Sequence, residues 1–382
     1  MKKLILTAFG MMTLAAFTCT TALAQGKTDK WSDDDDDSFY GNQVNPGVWS
    51  AVVHTDRVYV QFAGFHWSNG STFPISEMGS LPTDKPGTFV VKREPGTVTF
   101  NGSFTNERGH GTYIFQADDA FRTYLAGEGF KDVTEELMLH LFFTNINKQY
   151  LGYMKENGYN GISMSELKDL AYQNVNQKVM SGYLDLFKKE NYGKVSVDRI
   201  VELREHGVTP AFISSFHDMG YKDISLELAQ ELKDHGVNPD FVAEMKKLGG
   251  KEVSLEEAIE LRDHGVSSEF VRGFRELGYT DVSLSKAVEL RDHGVTIEFI
   301  KEFQRLGYKD ISPDQAQELK DHGVDPSFVS RFKGLGFGEI SLNKAVELRD
   351  HGVTPDYIKK LQDKGFKNMS LDEYIRMRDV GM

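Results

Sequence analysis

The sequence predicts an α+β protein: a small antiparallel β domain followed by an α-solenoid-like array of about nine 29-residue helical hairpins. Three observations predict it. Six histidines, His206, His235, His264, His293, His322 and His351, recur 29 residues apart, each in a version of ELRDHGV. A fixed period of this size marks a stacked repeat. Glycine followed by an aromatic recurs on the same period at Gly129-Phe130, Gly158-Tyr159, Gly220-Tyr221, Gly278-Tyr279, Gly307-Tyr308, Gly336-Phe337 and Gly365-Phe366. Asn191-Tyr192 and Gly249-Gly250 are degenerate members, and only the step from 158 to 191 is longer, by four residues. Ahead of the array, short strand-type runs alternate with turn signals.

The order along the chain is then a signal peptide at 1–24, an acidic linker at 25–46, a β domain at 47–118 and the array at 119–382. Lys2 and Lys3, the apolar run Leu4 to Phe17 and Ala22-Leu23-Ala24 form the three parts of a secretory signal cleaved before Gln25. The apolar run is too short to span a bilayer comfortably, and no other stretch is long and apolar enough. Cys19 is the sole cysteine. Phe17 and Thr18 before it suit a lipoprotein signal poorly, so a mature chain without a disulfide or thiolate site is expected, periplasmic or secreted. The net charge of −13 becomes more negative by two when Lys2 and Lys3 leave, which argues against general nucleic-acid binding. Asp33 to Asp37 is an unbroken acidic run. A calcium loop needs spaced ligands and a glycine bend, so the run reads as a solvated, self-repelling linker.

In the β domain, strand-type runs lie at Trp49 to His54, Val58 to Phe65, Thr88 to Lys92, Thr97 to Phe104 and Thr112 to Gln116. Val58, Val60 and Phe62 alternate with Tyr59 and Gln61, as in a strand with one buried face. The first helical repeat is placed to cover the open end of the sheet. His54, His66 and His110 are scattered, with no short ligand spacing on one element, so no metal is expected there. Asn69-Gly70-Ser71 and Asn101-Gly102-Ser103 match a glycosylation sequon, a three-residue pattern too common to mark a site by itself.

Each repeat reads as two short helices. In the unit 209–237, Thr209 caps the first helix and Pro210 occupies its first position. Asn238-Pro239, Asp325-Pro326 and Thr354-Pro355 repeat the device, while Ser267 and Thr296 keep the cap alone. Phe212, Ile213, Phe216 and Met219 share one face. Gly220 then closes the helix, with Tyr221 placed against Phe216 in a Schellman turn. Ser225, Ser254, Ser283, Ser312, Ser341 and Ser370 start the second helix. Ser254 with Glu257, and Ser370 with Glu373, have capping-box spacing. The second helix closes at His235-Gly236-Val237. One hairpin cannot bury its apolar face alone, but stacked neighbours can. Each histidine falls at a helix C-cap, where positive character suits the carbonyl end of the dipole. Stacked helices lie about 8–10 Å apart, too far for successive copies to share a metal whose ligands lie about 2 Å from it. The ladder therefore reads as structural, with no metal and no cofactor.

Charge is segregated. The second helices carry Glu231, Glu260, Glu289, Glu318 and Glu347, with Asp234, Asp263, Asp292, Asp321 and Asp350 in their last turns. The first helices are basic at outer positions: Lys246, Lys247, Arg272, Arg275, Lys301, Arg305, Arg331, Lys333, Lys359 and Lys360. Solvated faces with weak surface pairs explain much of this. The same ten cations are the candidate partner-binding residues, because outer positions of the first helix differ most between units while stretches such as AVELRDHGVT recur unchanged at 287–296 and 345–354.

The sentence ELRDHGVTPDYIKKLQDKGF, and GTFVVKREPGTVTFNGSFTNERGHGTYIF before the array, resemble tandem-repeat regions of bacterial extracytoplasmic proteins. Some of those regions are attached to antirepressor-type (beta-lactam sensor) membrane metallopeptidases. The resemblance covers nearly all of the mature chain and implies architecture and compartment. It does not carry peptidase activity, since no histidine here is followed by glutamate as HExxH requires. GxSxG, phosphate-loop and GxGxxG motifs are absent as well. The expectation is a non-enzymatic protein-binding or scaffolding repeat protein, with envelope sensing as its candidate role. The alternative is glycan or peptidoglycan binding through Trp49, Trp67 and neighbouring aromatics.

Overall fold

The computed structural model describes residues 46–381 except residues 65, 66, 84, 250 and 251. The signal segment, Cys19, the acidic run and His66 lie outside the described residues. Six strands form one antiparallel sheet: β1 (Gly47–Val53), β2 (Arg57–Ala63), β3 (Ser68–Pro74), β4 (Gly87–Arg93), β5 (Gly96–Thr105) and β6 (Arg108–Ala117), in the order β3-β2-β1-β6-β5-β4. Asn106 and Glu107 both take positive φ between β5 and β6, the backbone that a two-residue hairpin requires. β3 was not foreseen. Its Asn69-Gly70-Ser71 reads as a turn, and only Phe73 is a strong strand former. It is held by pairing with β2 along its whole length, with Ser71 and Phe73 turned inward. Gly70 is also a close-approach position, where a Cβ would meet the Tyr59 hydroxyl at 2.2 Å.

Strand alternation sends Val58, Val60, Phe62, Phe89, Val91, Val98 and Phe100 inward. Phe89 stacks on Phe100 with centroids 4.6 Å apart, and Trp49 meets both edge-on at 5.6 Å. The open end is closed by the second helix of the first repeat. A short helix, α1 (Ile75–Met78), follows β3 and contacts both edge strands, β3 and β4. The array then begins with α2 (Asp119–Gly127) and α3 (Glu135–Thr144). Every residue of α3 from Leu137 to Thr144 is buried, which is the pattern of a helix inside a core. Phe143 lies 4.4 Å from Phe62 between ring centroids, and Phe142 reaches Phe73 and Phe115. The described residues of sheet and array thus belong to one compact unit.

Arg93, at the end of β4, fastens this junction. Its guanidinium takes Glu77 of α1 at 3.0 Å and donates to the carbonyls of Phe142 (2.7 Å) and Phe143 (3.1 Å), the open end of α3. It also lies 4.6 Å from the centre of the Phe73 ring. A rigid fork that bridges a carboxylate and helix-end carbonyls suits arginine and not lysine.

Nine helix pairs follow one another among the described residues, from α2–α3 to Pro355–Asp363 with Leu371–Asp379. After α3 come α4 (Lys148–Glu156), α5 (Met164–Tyr172), α6 (Gln177–Lys189) and α7 (Val197–Glu205). The caps form as read: Thr209, Ser225, Ser254, Ser283, Ser341 and Thr354 each accept the backbone N–H three residues on. Reciprocal capping boxes are complete at Ser370–Glu373 and also at Ser163–Glu166 and Ser312–Gln315, while at Ser254 the hydroxyl half is seen. Both turns are Schellman turns. Tyr221 N–H donates to the Phe216 carbonyl and Gly220 N–H to that of His217, as do Val237 to Leu232 and Gly236 to Lys233. The glycines take φ of +97° and +70°.

Most letters of the repeated sentence have a packing or turn role, seen in Glu289-Leu290-Arg291-Asp292-His293-Gly294-Val295. Leu290 and Val295 are fully buried, and Glu289 is exposed. Arg291 lies 5.4 Å from the Phe270 ring centre of its own unit, and its Nε sits 3.6 Å from where a Cβ on Gly265 of the preceding unit would be. Asp292 accepts from His264 of the preceding unit, and His293 reaches Asp321 of the following one. Gly294 supplies the left-handed turn. The tyrosines of the Gly-Tyr markers add a further tie. Tyr221, Tyr279 and Tyr308 each donate to the carbonyl 32 residues on, just before the next unit's second helix.

Candidate interaction site

The six histidines form a ladder of inter-unit bonds. Nδ1 of each meets the aspartate 28 residues on: His206–Asp234, His235–Asp263, His264–Asp292, His293–Asp321, His322–Asp350 and His351–Asp379. Four of these are 2.7–2.8 Å long. Each histidine is a C-cap residue, and its side chain is about two-fifths exposed. The hydrogen bond to aspartate, aided by nearby carboxylates, holds His264, His322 and His351 above the usual imidazole range. The sequence located the helix end but gave no sign of the partner, because a 28-residue offset reveals contact only once the stacking is known. No group of three or more histidine, cysteine or carboxylate side chains converges on a possible metal position among the described residues.

A parallel ladder of cations lies over aromatics. Lys233, Arg262, Arg291, Lys320, Arg349 and Arg378 each stand 3.9–5.4 Å from the ring centre of the residue 21 positions before it. Such contacts hold the second helix on the first within a unit.

The ten candidate cations of the first helices divide. Lys246 pairs with Glu252 at 2.5 Å and lies over Tyr221, and Arg275 is half-buried and donates to the Leu248 carbonyl. Arg305 pairs with Glu298 at 2.5 Å and Arg331 with Asp356 of the next unit. Lys247, Arg272, Lys301, Lys333, Lys359 and Lys360 make no ion pair within 4 Å among the described residues, and all but the half-buried Lys301 are exposed. The stack therefore keeps six of the ten cations for solvent or a partner.

Of the two tryptophans in the β domain, Trp49 is only 2% exposed and donates through Nε1 to the Thr112 carbonyl. It is a core residue with no face for a sugar to stack on. Trp67 is half-buried against His140 and Phe143. His140 is buried in α3, and burial pushes its imidazole down to about 4, so it is neutral at ordinary pH. His54 and His110 are exposed, His110 opposite Ser50 and Ser103 on the outer face of the sheet.

A polar cleft of about 400 Å³ lies where the sheet meets the first repeats. One wall has Ser71, Thr72, Glu77 and Arg93; the other has six carboxamides, Asn145, Asn147, Gln149, Asn174, Asn176 and Gln177. The carboxamides come from two equivalent turns, after α3 and after α5. Where six later units have glycine at the left-handed position (φ +64° to +71°), these two have Asn145 (φ +56°) and Asn174 (φ +52°). Where later units have Thr, Ser, Asn or Asp as the next cap, these have Asn147 and Asn176, whose Oδ1 atoms accept from Tyr150 N–H and Val179 N–H. The side-chain N–H groups of both caps, and the whole side chains of Asn145 and Asn174, have no hydrogen-bond partner among the described residues. Sequence reasoning missed this cluster. Its signal was present: Thr144 to Lys148 (TNINK) and Gln173 to Gln177 (QNVNQ) depart together from HGVTP.

No family model, no curated protein and no solved structure matches this chain. No described helix is long and apolar enough to cross a membrane.

Proposed function

We propose that the chain is a non-enzymatic extracytoplasmic binding or scaffolding protein whose helical array contacts another protein through the outer surface of its first helices. One observation carries this reading. Most repeated residues of the unit are consumed by contacts within and between units, while the variable outer positions leave Lys247, Arg272, Lys301, Lys333, Lys359 and Lys360 without an ion pair among the described residues. A surface whose interior is constant and whose exterior varies is what stacked repeats offer a partner. Cations set on an acidic molecule favour an acidic partner surface, chiefly through encounter rate and orientation. The signal-like N-terminus and the resemblance to repeats of bacterial extracytoplasmic proteins support a periplasmic or secreted location and a role in envelope sensing.

The test is capture from envelope extract on immobilised full chain, comparing the natural sequence with the variant Lys247→Glu, Lys301→Glu, Lys333→Glu and Lys359→Glu. These side chains make no ion pair, so the fold should survive, as circular dichroism can verify. Partners held by the array are expected to be lost from the variant and to weaken as salt is raised. Equal retention by both chains would place the interaction elsewhere.

A further inference from the structure

We infer that the polar cleft between the sheet and the first two repeat turns binds an extended peptide segment through its carboxamides. This rests on the reading that the partner is a protein and adds a second, chemically distinct point of contact. The chemistry of the walls selects the ligand class. The cleft holds one carboxylate–guanidinium pair, Glu77–Arg93, already satisfied within the protein, and one exposed cation, Lys178. Once Glu77 and Arg93 neutralise each other, Lys178 is the one remaining cation in the lining, and a single exposed lysine is a weak anchor for a phosphate or nucleic acid. Its lining is predominantly polar, which disfavours a lipid. The only aromatic ring bordering it among the described residues, Phe143, is 3% exposed, so a sugar would find no face for stacking. What remains is a dense set of amide N–H donors and C=O acceptors. A carboxamide offers both in one plane and can pair with a peptide group in the same way.

The repeat geometry adds a spacing. Asn145 and Asn174 are equivalent positions in successive units, as are Asn147 and Asn176. Packed neighbouring helices lie about 8–10 Å apart. A polyproline-II-like peptide has three residues per turn at about 3.1 Å each, so its pattern repeats on nearly the same length, with backbone groups unpaired. The two turns could therefore engage peptide groups three residues apart with the same geometry.

Position also argues for use. Asparagine is less at ease than glycine in the left-handed region. Among the turns that close second helices, asparagine replaces glycine only in the two that line the cleft.

The experiment follows from that substitution. Asn145→Gly with Asn174→Gly restores the residue of the later units, keeps the turn and removes two carboxamides, so folding should be unimpaired; the melting temperature verifies this. A random 12-residue peptide library displayed on phage is selected on the full chain, and the recovered sequences are made as labelled peptides. They are expected to bind the natural chain at least ten-fold more tightly than the double variant, and Gln149→Ala with Gln177→Ala should weaken them as well. Recovery of no peptide, or equal affinity for both chains, overturns the proposal. Binding of a chitotetraose probe that is lost in the double variant, with no peptide so affected, overturns it in favour of a glycan. Because the lysines reversed above lie outside the cleft, loss of capture by that variant with no peptide selected here would sink this inference and leave the array reading standing.

Discussion

The seven repeats that end in His-Gly-Val or its close variants and the two repeats beside the sheet share one fold, yet they use the same positions differently. In the later units the turn closing the second helix spends its residues on the neighbouring unit: histidine on the next aspartate, glycine on the turn and, at Gly265, Gly323 and Gly352, the arginine of the next unit beside that glycine. Beside the sheet the same positions carry Thr144-Asn145 and Gln173-Asn174. There Thr144 donates to the Ala171 carbonyl, Gln173 to Glu205, and the asparagines face a cleft. A regular stack needs each unit to fit the next identically. The end of a stack needs something to cover it, and its residues become free to differ.

The largest effect is expected where the two regimes meet. Arg93 has a side chain only 7% exposed and satisfies both Glu77 and the end of α3. Arg93→Met leaves the half-buried Glu77 carboxylate without its cation and takes one of two donors from each carbonyl, Phe142 keeping Asn145 N–H and Phe143 keeping the Ser71 hydroxyl. Removing one partner of a buried pair costs about 3–5 kcal/mol; Glu77 is partly solvated, so roughly 3 kcal/mol is expected here. Arg93→Lys should recover only part, since a point charge cannot serve the carboxylate and both carbonyls. Denaturant unfolding followed by tryptophan fluorescence measures this. A loss below that of a typical surface substitution would mean that the junction is held by the α3 aromatics alone.

A smaller and more local effect is expected inside the regular stack. Gly265 has φ +66°, and a Cβ there would come within 3.6 Å of the Arg291 guanidinium. Gly265→Val should cost about 2 kcal/mol, from the left-handed backbone and the β-branch together. Units of a solenoid couple chiefly to neighbours. Amide exchange should therefore quicken in the helices Leu255–Asp263 and Leu284–Asp292 and stay unchanged in the sheet. Uniform acceleration through β1–β6 would show that the chain unfolds as one block.

Much of this was legible in the sequence because repetition separates signal from accident. The 29-residue period, both caps, both glycine closes and the polar outer face of the helices could be read from recurrence, since a local rule that holds at every copy is rarely chance. Four things could not. β3 carries turn-type residues and is a strand only because β2 pairs with it. The partners of histidine and tyrosine lie 28 and 32 residues away, offsets that acquire meaning when helices stack. The cleft arises from departures at two turns, and a departure looks like decay of the repeat until the sheet is seen opposite. Arg93 was likewise one more cation on a strand end.

The smallest expected effect tests the ladder itself. The hydrogen bond to Asp292, with Glu260 and Asp263 nearby, raises the pKa of His264 above its ordinary 6.5. A group whose folded pKa lies above its unfolded value gives stability that is fully present below the unfolded value and is lost as pH rises through the folded one. The contribution of the charged pair is thus complete below about pH 6.5 and fades at higher pH. His264→Gln keeps a neutral donor near Asp292 and has no proton to lose. Its loss of stability should be less than that of Gly265→Val at every pH, because the pair is exposed and screened. The difference between the natural chain and the variant should be greatest near pH 5.5 and should shrink by pH 8.5, with the many other titrations cancelling in the subtraction. A difference that grows with pH would mean that the neutral imidazole, not the charged one, makes the contact, and that the ladder joins units by hydrogen bonding alone.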